Sequence, residues 1–264
     1  MYKVLPLINL ISVILVISVN YCSQVLRFND TTIGEMSNNY SNLFTPANYA
    51  FSIWGLIFLS LFALGIFQVN SALFRQKHLD FMVKSGYWFA IANLLNGLWV
   101  IAFVYDYIGM SLVLMCGILF SLIKIIINTN MESHKTALPV IIFCWWPICL
   151  YTGWIAVATI ANVATFLVKI GWNGGFLTPV QWTLIMVAAT VAINIFMIMA
   201  RKMREFAAVG VWALIALYVR HAQDNVMIAY TALSGAIILS VAIIWHGYQN
   251  RHDNVVFTKF KVKL

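Results

Sequence analysis

Tyr151-Thr-Gly-Trp154-Ile-Ala-Val-Ala158-Thr159-Ile-Ala-Asn162 decides how this chain is read. The stretch lies inside a long apolar segment, yet it carries a phenol, an indole and a carboxamide at helical spacing. Tyr151, Trp154 and Ala158 follow one another at intervals of three and four, so they share one helix face, and Asn162 continues it. In lipid, an amide or hydroxyl without a partner costs several kcal/mol, so this face is expected to turn onto protein or a cavity.

Outward from that stretch the chain stays apolar. Of its 264 residues 62% are hydrophobic and 9% charged, against about 25% charged in soluble domains. No soluble fold hides so much apolar surface, so the expected class is an all-α, polytopic integral membrane protein. Eight segments are long and apolar enough to span: Val4–Leu26, Ala47–Val69, Gly86–Tyr105, Ile108–Ile127, Leu138–Leu167, Pro179–Ala200, Glu205–Val219 and Asn225–Trp245. With the N-terminus inside, thirteen of the sixteen Lys and Arg fall on the inner side and three on the outer. That bias predicts both termini in the cytoplasm, with the cell membrane as the location if the source is bacterial. The net charge of +8 therefore reports topology, and no nucleic-acid partner is expected. Four cysteines form no C-x-x-C pair, which argues against a disulfide or metal role.

Two further stretches repeat the pattern of aromatics and amides. The second segment opens with Phe44-Thr45-Pro46, Tyr49, Phe51, Trp54 and Phe58, and Pro46 is placed to start a helix. The third carries Asn96, Trp99 and Phe103 on one face. The bland alternatives are interfacial belt aromatics for Tyr49 and Trp54, and a helix-tying role for Asn96.

Taken in order, these motifs resemble the tryptophan-rich sensory protein family (TspO/MBR, relatives of the mitochondrial translocator protein). The last-helix signature, roughly P-Y-x-x-W-x-x-x-A-T-x-x-N, is matched by Tyr151, Trp154, Ala158, Thr159 and Asn162, with Leu150 at the proline. N-x-x-W-x-x-x-F is matched by Asn96, Trp99 and Phe103. In the second segment, Phe51 to Trp54 is one residue shorter than the family spacing, which on an α-helix turns Trp54 by about 100°. The resemblance covers about residues 1–165. It implies a five-helix bundle over 1–168, followed by a three-helix membrane extension over 169–250 and a basic cytoplasmic tail over 251–264.

What the resemblance implies for function is a receptor or sensor-like protein that binds a planar hydrophobic ligand, porphyrin or sterol-like, and transports or sequesters it. Asn96, Trp99, Tyr151, Trp154, Ala158 and Asn162 are the implied pocket residues, with Tyr49, Phe51 and Trp54 as second choices. No cofactor is required; a tetrapyrrole is the ligand the family suggests. The implied partners are a hydrophobic small molecule, the bilayer and a second copy of the chain.

No span centre holds Asp, Glu, Lys, Arg or His, which argues against an ion-coupled pump. P-loop, H-E-x-x-H and G-x-S-x-G motifs are missing, so no catalytic residue or metal ligand is assigned. Two other classes remain: a facilitative carrier or channel for a small neutral solute, and an assembly subunit that binds other membrane proteins.

Overall fold

A segment inside a bilayer has to pair its backbone N–H and C=O groups within itself, and these apolar runs do so as helices. The computed structural model describes residues 3–40, 42–75, 79–132 and 136–250. The basic tail at 251–264, with several of the Lys and Arg counted for topology, lies outside the described residues. Among the described residues the regular elements are all helical. In chain order they are α1 Leu5–Val25, α2 Ile33–Asn39, α3 Ile53–Val69, α4 Asp80–Ser85, α5 Trp88–Val104, α6 Ile108–Thr129, α7 Leu138–Val140, α8 Trp146–Lys169, α9 Pro179–Arg201, α10 Arg204–His221 and α11 Val226–Gln249.

The long helices fall where apolar segments were expected. Among the described residues six runs are long and apolar enough to cross a membrane: α1, Asn48–Phe74 around α3, α6, Leu138–Lys169 through α7 and α8, α9 and α11. Of the other two long helices, α5 is apolar but has only 17 residues. α10 is flanked by Arg204 and Glu205 at one end and by Arg220 and His221 at the other.

Local chemistry explains three departures from the expected segments. The connection after α1 is partly helical: Thr32 and Glu35 form a reciprocal capping box that starts α2. The third segment begins at Trp88, because Gly86 adopts φ +53° and ends the short α4 before it. Pro147 is accommodated without breaking α8. A wide turn over Ile141–Trp145 precedes it, and Pro147 then sits in the first turn of α8, where its missing N–H matters least.

α5 packs on α6 and α1, α6 on α8, and α3 on α1 and α8; α10 packs on α8, α9 and α11. Amides tie α1 to its neighbours: Asn9 Nδ2 donates to Gln68 Oε1 at 2.8 Å, and Asn93 Nδ2 to Ser12 Oγ at 3.0 Å. In lipid such bonds between helices contribute about 0.6 kcal/mol on average. Where α8 crosses α10, a Cβ on Gly153 would lie 2.7 Å from the Phe206 carbonyl oxygen, so only glycine lets these backbones meet. Exposed apolar side chains such as Leu59, Val113 and Ile244 cover the outside.

The α2 segment caps one end of the bundle. Asn29 Nδ2 donates to the Val104 carbonyl at 3.0 Å, and Ala47 N–H to the Ala216 carbonyl at 3.1 Å. His221 Nε2 lies 2.8 Å from the Leu43 carbonyl, which can only accept, so that nitrogen carries the proton.

Candidate functional site

Beneath the α2 cap, helices α3, α5, α6, α8, α9 and α10 enclose a cavity of about 50 Å³. Six aromatic rings stand in its wall, among smaller apolar side chains. Trp54 is the hub: its ring centroid lies 6.5 Å from Trp99 and 6.3 Å from Trp154. Trp99 stacks on Phe103 at 5.3 Å, and Phe51 meets Trp154 edge-on at 6.2 Å. Edge-on and offset-stacked contacts of this kind each contribute about 0.5–1.5 kcal/mol beyond area burial. They make the wall stiff.

Two polar features stand in that wall. Asn162 Oδ1 accepts from Trp99 Nε1 at 3.1 Å, and its Nδ2 donates to Ser111 Oγ at 3.1 Å. Ser111 gives its own proton to the Ile108 carbonyl at 2.8 Å, so the chain of donors is consistent. Trp54 differs. Its Nε1–H is buried and has no acceptor among the described residues. A buried donor left unmatched costs about 1–3 kcal/mol, and such groups in native folds call for an explanation.

Six of the nine residues anticipated from sequence line the cavity: Phe51, Trp54, Trp99, Trp154, Ala158 and Asn162. The other three do not. Asn96 is fully buried and accepts from Asn20 Nδ2 at 3.1 Å, the helix-tying arrangement, while its own Nδ2 is unmatched. Tyr151 is also fully buried, 6.1 Å from Trp54, with its hydroxyl 3.4 Å from the Ala92 carbonyl. Tyr49 is 39% exposed and packs edge-on against Trp212 at 5.3 Å.

The five-helix enclosure is incomplete. Thr190 of α9 and Leu214 and Leu217 of α10 complete the wall, and Ser37 and Phe44 reach it from the α2 segment. Thr165 could have been anticipated, since it follows Asn162 by one turn. The leucines could not, because nothing separates them from lipid-facing leucines in the sequence.

The cap is held by charge as well as by backbone bonds. Arg27 pairs with Glu35 through both guanidinium nitrogens, at 3.0 and 2.8 Å. Tyr40 donates to Asp106 Oδ1 at 2.5 Å, and Lys169 pairs with Asp106 Oδ2 at 2.9 Å. Burial alone would raise the Asp106 carboxyl, but the Tyr40 hydrogen bond and the Lys169 ammonium outweigh it and hold the group below its ordinary value.

Away from the cavity, Glu132, Cys149 and Glu205 bring one potential ligand atom each within 4.8 Å of one another. Burial, then the Glu205 charge, pushes the Glu132 carboxyl up to about 7, while Arg204 and Lys202 pull the other way. Those two cations already supply the positive charge that a metal would bring.

Many long apolar helices packed on one another define this molecule as a polytopic membrane protein. The chain belongs to the TSPO-like protein family, whose model matches residues 6–245. The match runs past residue 165, through α9 and α10 and into α11, so the helices that complete the cavity are part of the family's unit. No curated protein and no solved structure matches the chain.

Proposed function

We propose that this protein is a membrane receptor or sensor that binds a hydrophobic, ring-bearing small molecule, porphyrin- or sterol-like, in the cavity around Trp54. The observation that carries the proposal is the Trp54 N–H: a buried donor with no acceptor among the described residues, on a ring in a wall that also holds five other aromatic side chains. A ligand that laid an apolar ring against Trp54, Trp99 and Trp154 and offered one carbonyl or carboxylate oxygen would satisfy it. Family membership supports the same reading.

Size limits how binding occurs. At about 50 Å³ the cavity is smaller than the ~150 Å³ hollow that admits benzene. A macrocycle fits chemically but enters only as the wall yields. Phe44 and Ser37 stand on the α2 cap and Phe51 in the turn before α3, so these elements yield more easily than the helix-borne tryptophans. Sensing follows naturally: occupancy displaces the cap, and the cap is bonded to the ends of α5, α8 and α10. In this reading the cap faces outward and both termini lie in the cytoplasm, as the distribution of Lys and Arg supports.

Titrating protoporphyrin IX into the purified protein, with tryptophan emission as the readout, tests this. Saturable quenching is expected, weakened about tenfold or more in Trp154→Ala, which removes a stacking face. Uptake of small neutral solutes into proteoliposomes, without any saturable quenching, would establish the carrier class instead.

A further inference from the structure

A second hollow, of about 200 Å³, lies at the α2 end between α8, α9 and the turn that joins them. Its apolar wall includes Trp172, Trp182, Leu167 and Met186; Asn42, Asn173 and Thr183 supply polar groups. We infer that this hollow is the vestibule through which the ligand's flat ring reaches the Trp54 cavity, with Phe44 as the partition between the two. The inference rests on the ligand-binding reading of the inner cavity and adds to it a route and a second contact site.

Three observations carry it. The first is shared walls. Phe44 lines both hollows. On α9, Thr183 and Met186 face the outer hollow and Thr190 the inner one, at helical intervals of three and four that keep all three on one face. On α8, Ala164 lines the outer hollow and the next residue, Thr165, the inner one. The two hollows therefore adjoin along α8 and α9, and Phe44 stands in the wall of both.

The second observation is construction. The turn is folded around Trp182, whose Nε1 donates to the Gly174 carbonyl at 2.9 Å. Gly174 sits at φ +85°, and a Cβ there would meet the Leu177 carbonyl oxygen at 2.6 Å, so the turn depends on glycine. Thr178 and Gln181 form a capping box that fixes the start of α9 beside it. Trp172 then packs against Trp182 at 4.9 Å with the ring planes 60° apart. The hollow is held by backbone geometry and has not formed from a loose loop.

The third is size and polarity. The outer hollow exceeds the ~150 Å³ that admits a benzene ring, whereas the inner one does not. Aromatic faces with an amide on each side suit an amphipathic molecule with a flat apolar body and a hydrogen-bonding edge. That is the chemistry proposed for the inner ligand. A transit site selects for what it passes.

The test uses the full chain in lipid nanodiscs with protoporphyrin IX as probe, its own emission followed by stopped flow. Val168→Trp fills the vestibule from α8 at a position that is 39% exposed, where a larger side chain leaves the core intact. Met186→Trp fills it from α9 and guards against a local failure of the first variant. A group on the route but outside the final site slows entry and exit alike. Association and dissociation rate constants are both expected to fall about tenfold, with the equilibrium constant within about twofold of wild type. Phe44→Ala is expected to speed both. If the filled variants bind and release at wild-type rates, the vestibule is refuted and the inner site stands. If filling lowers the equilibrium affinity without slowing entry, the hollow belongs to the bound site and is not a route. A wild-type protein that shows no saturable binding overturns the ligand reading, and the vestibule with it.

Discussion

Replacing Asn162 with leucine isolates one hydrogen-bonded chain in the cavity wall, and the geometry of that chain fixes which group is left unpaired. Trp99 Nε1 loses the acceptor it holds at 3.1 Å. Ser111 loses a donor but keeps its own bond to the Ile108 carbonyl at 2.8 Å, so it is not orphaned. A single buried N–H therefore sets the magnitude. Orphaned donors cost about 1–3 kcal/mol in soluble interiors. Cycles in a membrane protein give roughly 0.6 kcal/mol on average and 1.7 at most, because the unfolded chain in lipid also finds partners. The expected loss is thus about 1–2 kcal/mol. Adding Trp99→Phe removes the orphan and keeps a ring against Phe103 and Trp54, so the double variant should be less destabilised than the sum of the singles by about 1 kcal/mol. The assay is equilibrium unfolding by SDS in mixed micelles, followed by far-ultraviolet circular dichroism so that losing a tryptophan does not alter the signal. Strict additivity of the two substitutions, or an Asn162→Leu protein as stable as wild type, would refute the argument that this amide is a structural member of the wall.

Trp54→Phe deletes an N–H that no group among the described residues satisfies, so stability should change little or rise, by up to about 1 kcal/mol. Affinity for protoporphyrin should fall about twofold to tenfold in the titration described above. In Gly153→Ala the new Cβ would press on the Phe206 backbone, which cannot step aside as a side chain does, and a loss of about 1–3 kcal/mol is expected in the same SDS unfolding assay. Glu132→Gln tests the carboxyl that burial raises to about 7. A raised carboxyl holds its proton more tightly in the folded state, so its contribution is complete below about pH 4.5 and is lost as pH rises through 7. The variant should match wild type near pH 4.5 and exceed it by about 1–3 kcal/mol at pH 8, measured by unfolding at each pH. Asp106→Asn removes the anchor shared by Tyr40 and Lys169. Because that pair is substantially exposed, stability should drop by less than about 1 kcal/mol, while limited proteolysis between residues 27 and 46 should quicken.

Residues that share a helix were legible because periodicity is a local property. Trp154, Ala158 and Asn162 were placed on one face from their spacing alone, and all three line the cavity. Trp54 shows where that reasoning fails. On an α-helix the short spacing from Phe51 turns it away by about 100°. The chain, however, runs through a tight three-residue-per-turn segment over Asn48–Ser52 before α3 begins. The rings of Phe51, near the end of that turn, and of Trp54, in the first turn of α3, both lie close to Trp154, at 6.2 and 6.3 Å. The α2 cap had a readable sign in Thr32-x-x-Glu35, which marks a helix start inside an otherwise polar connection.

The part of the wall supplied by α9 and α10 had no such sign, and the reason is physical. In a bilayer, apolar side chains are equally at home against lipid and against protein, so a leucine on α10 carries no record of which it faces. The record lies instead in how deeply each span is enclosed. Through its most apolar window Leu138–Lys169 is 61% buried, whereas the other five candidate spans are 28–39% buried. A helix so enclosed needs neighbours on every side. α3 and α6 cover part of α8, and α10 closes the remainder through the backbone contact at Gly153. Asn162 and Trp154 can stand in mid-span because that closure keeps lipid from them. It follows that the cavity is a property of helices on both sides of residue 168, and that a fragment ending there would leave the Val157 flank of α8, and with it the cavity wall, open to acyl chains.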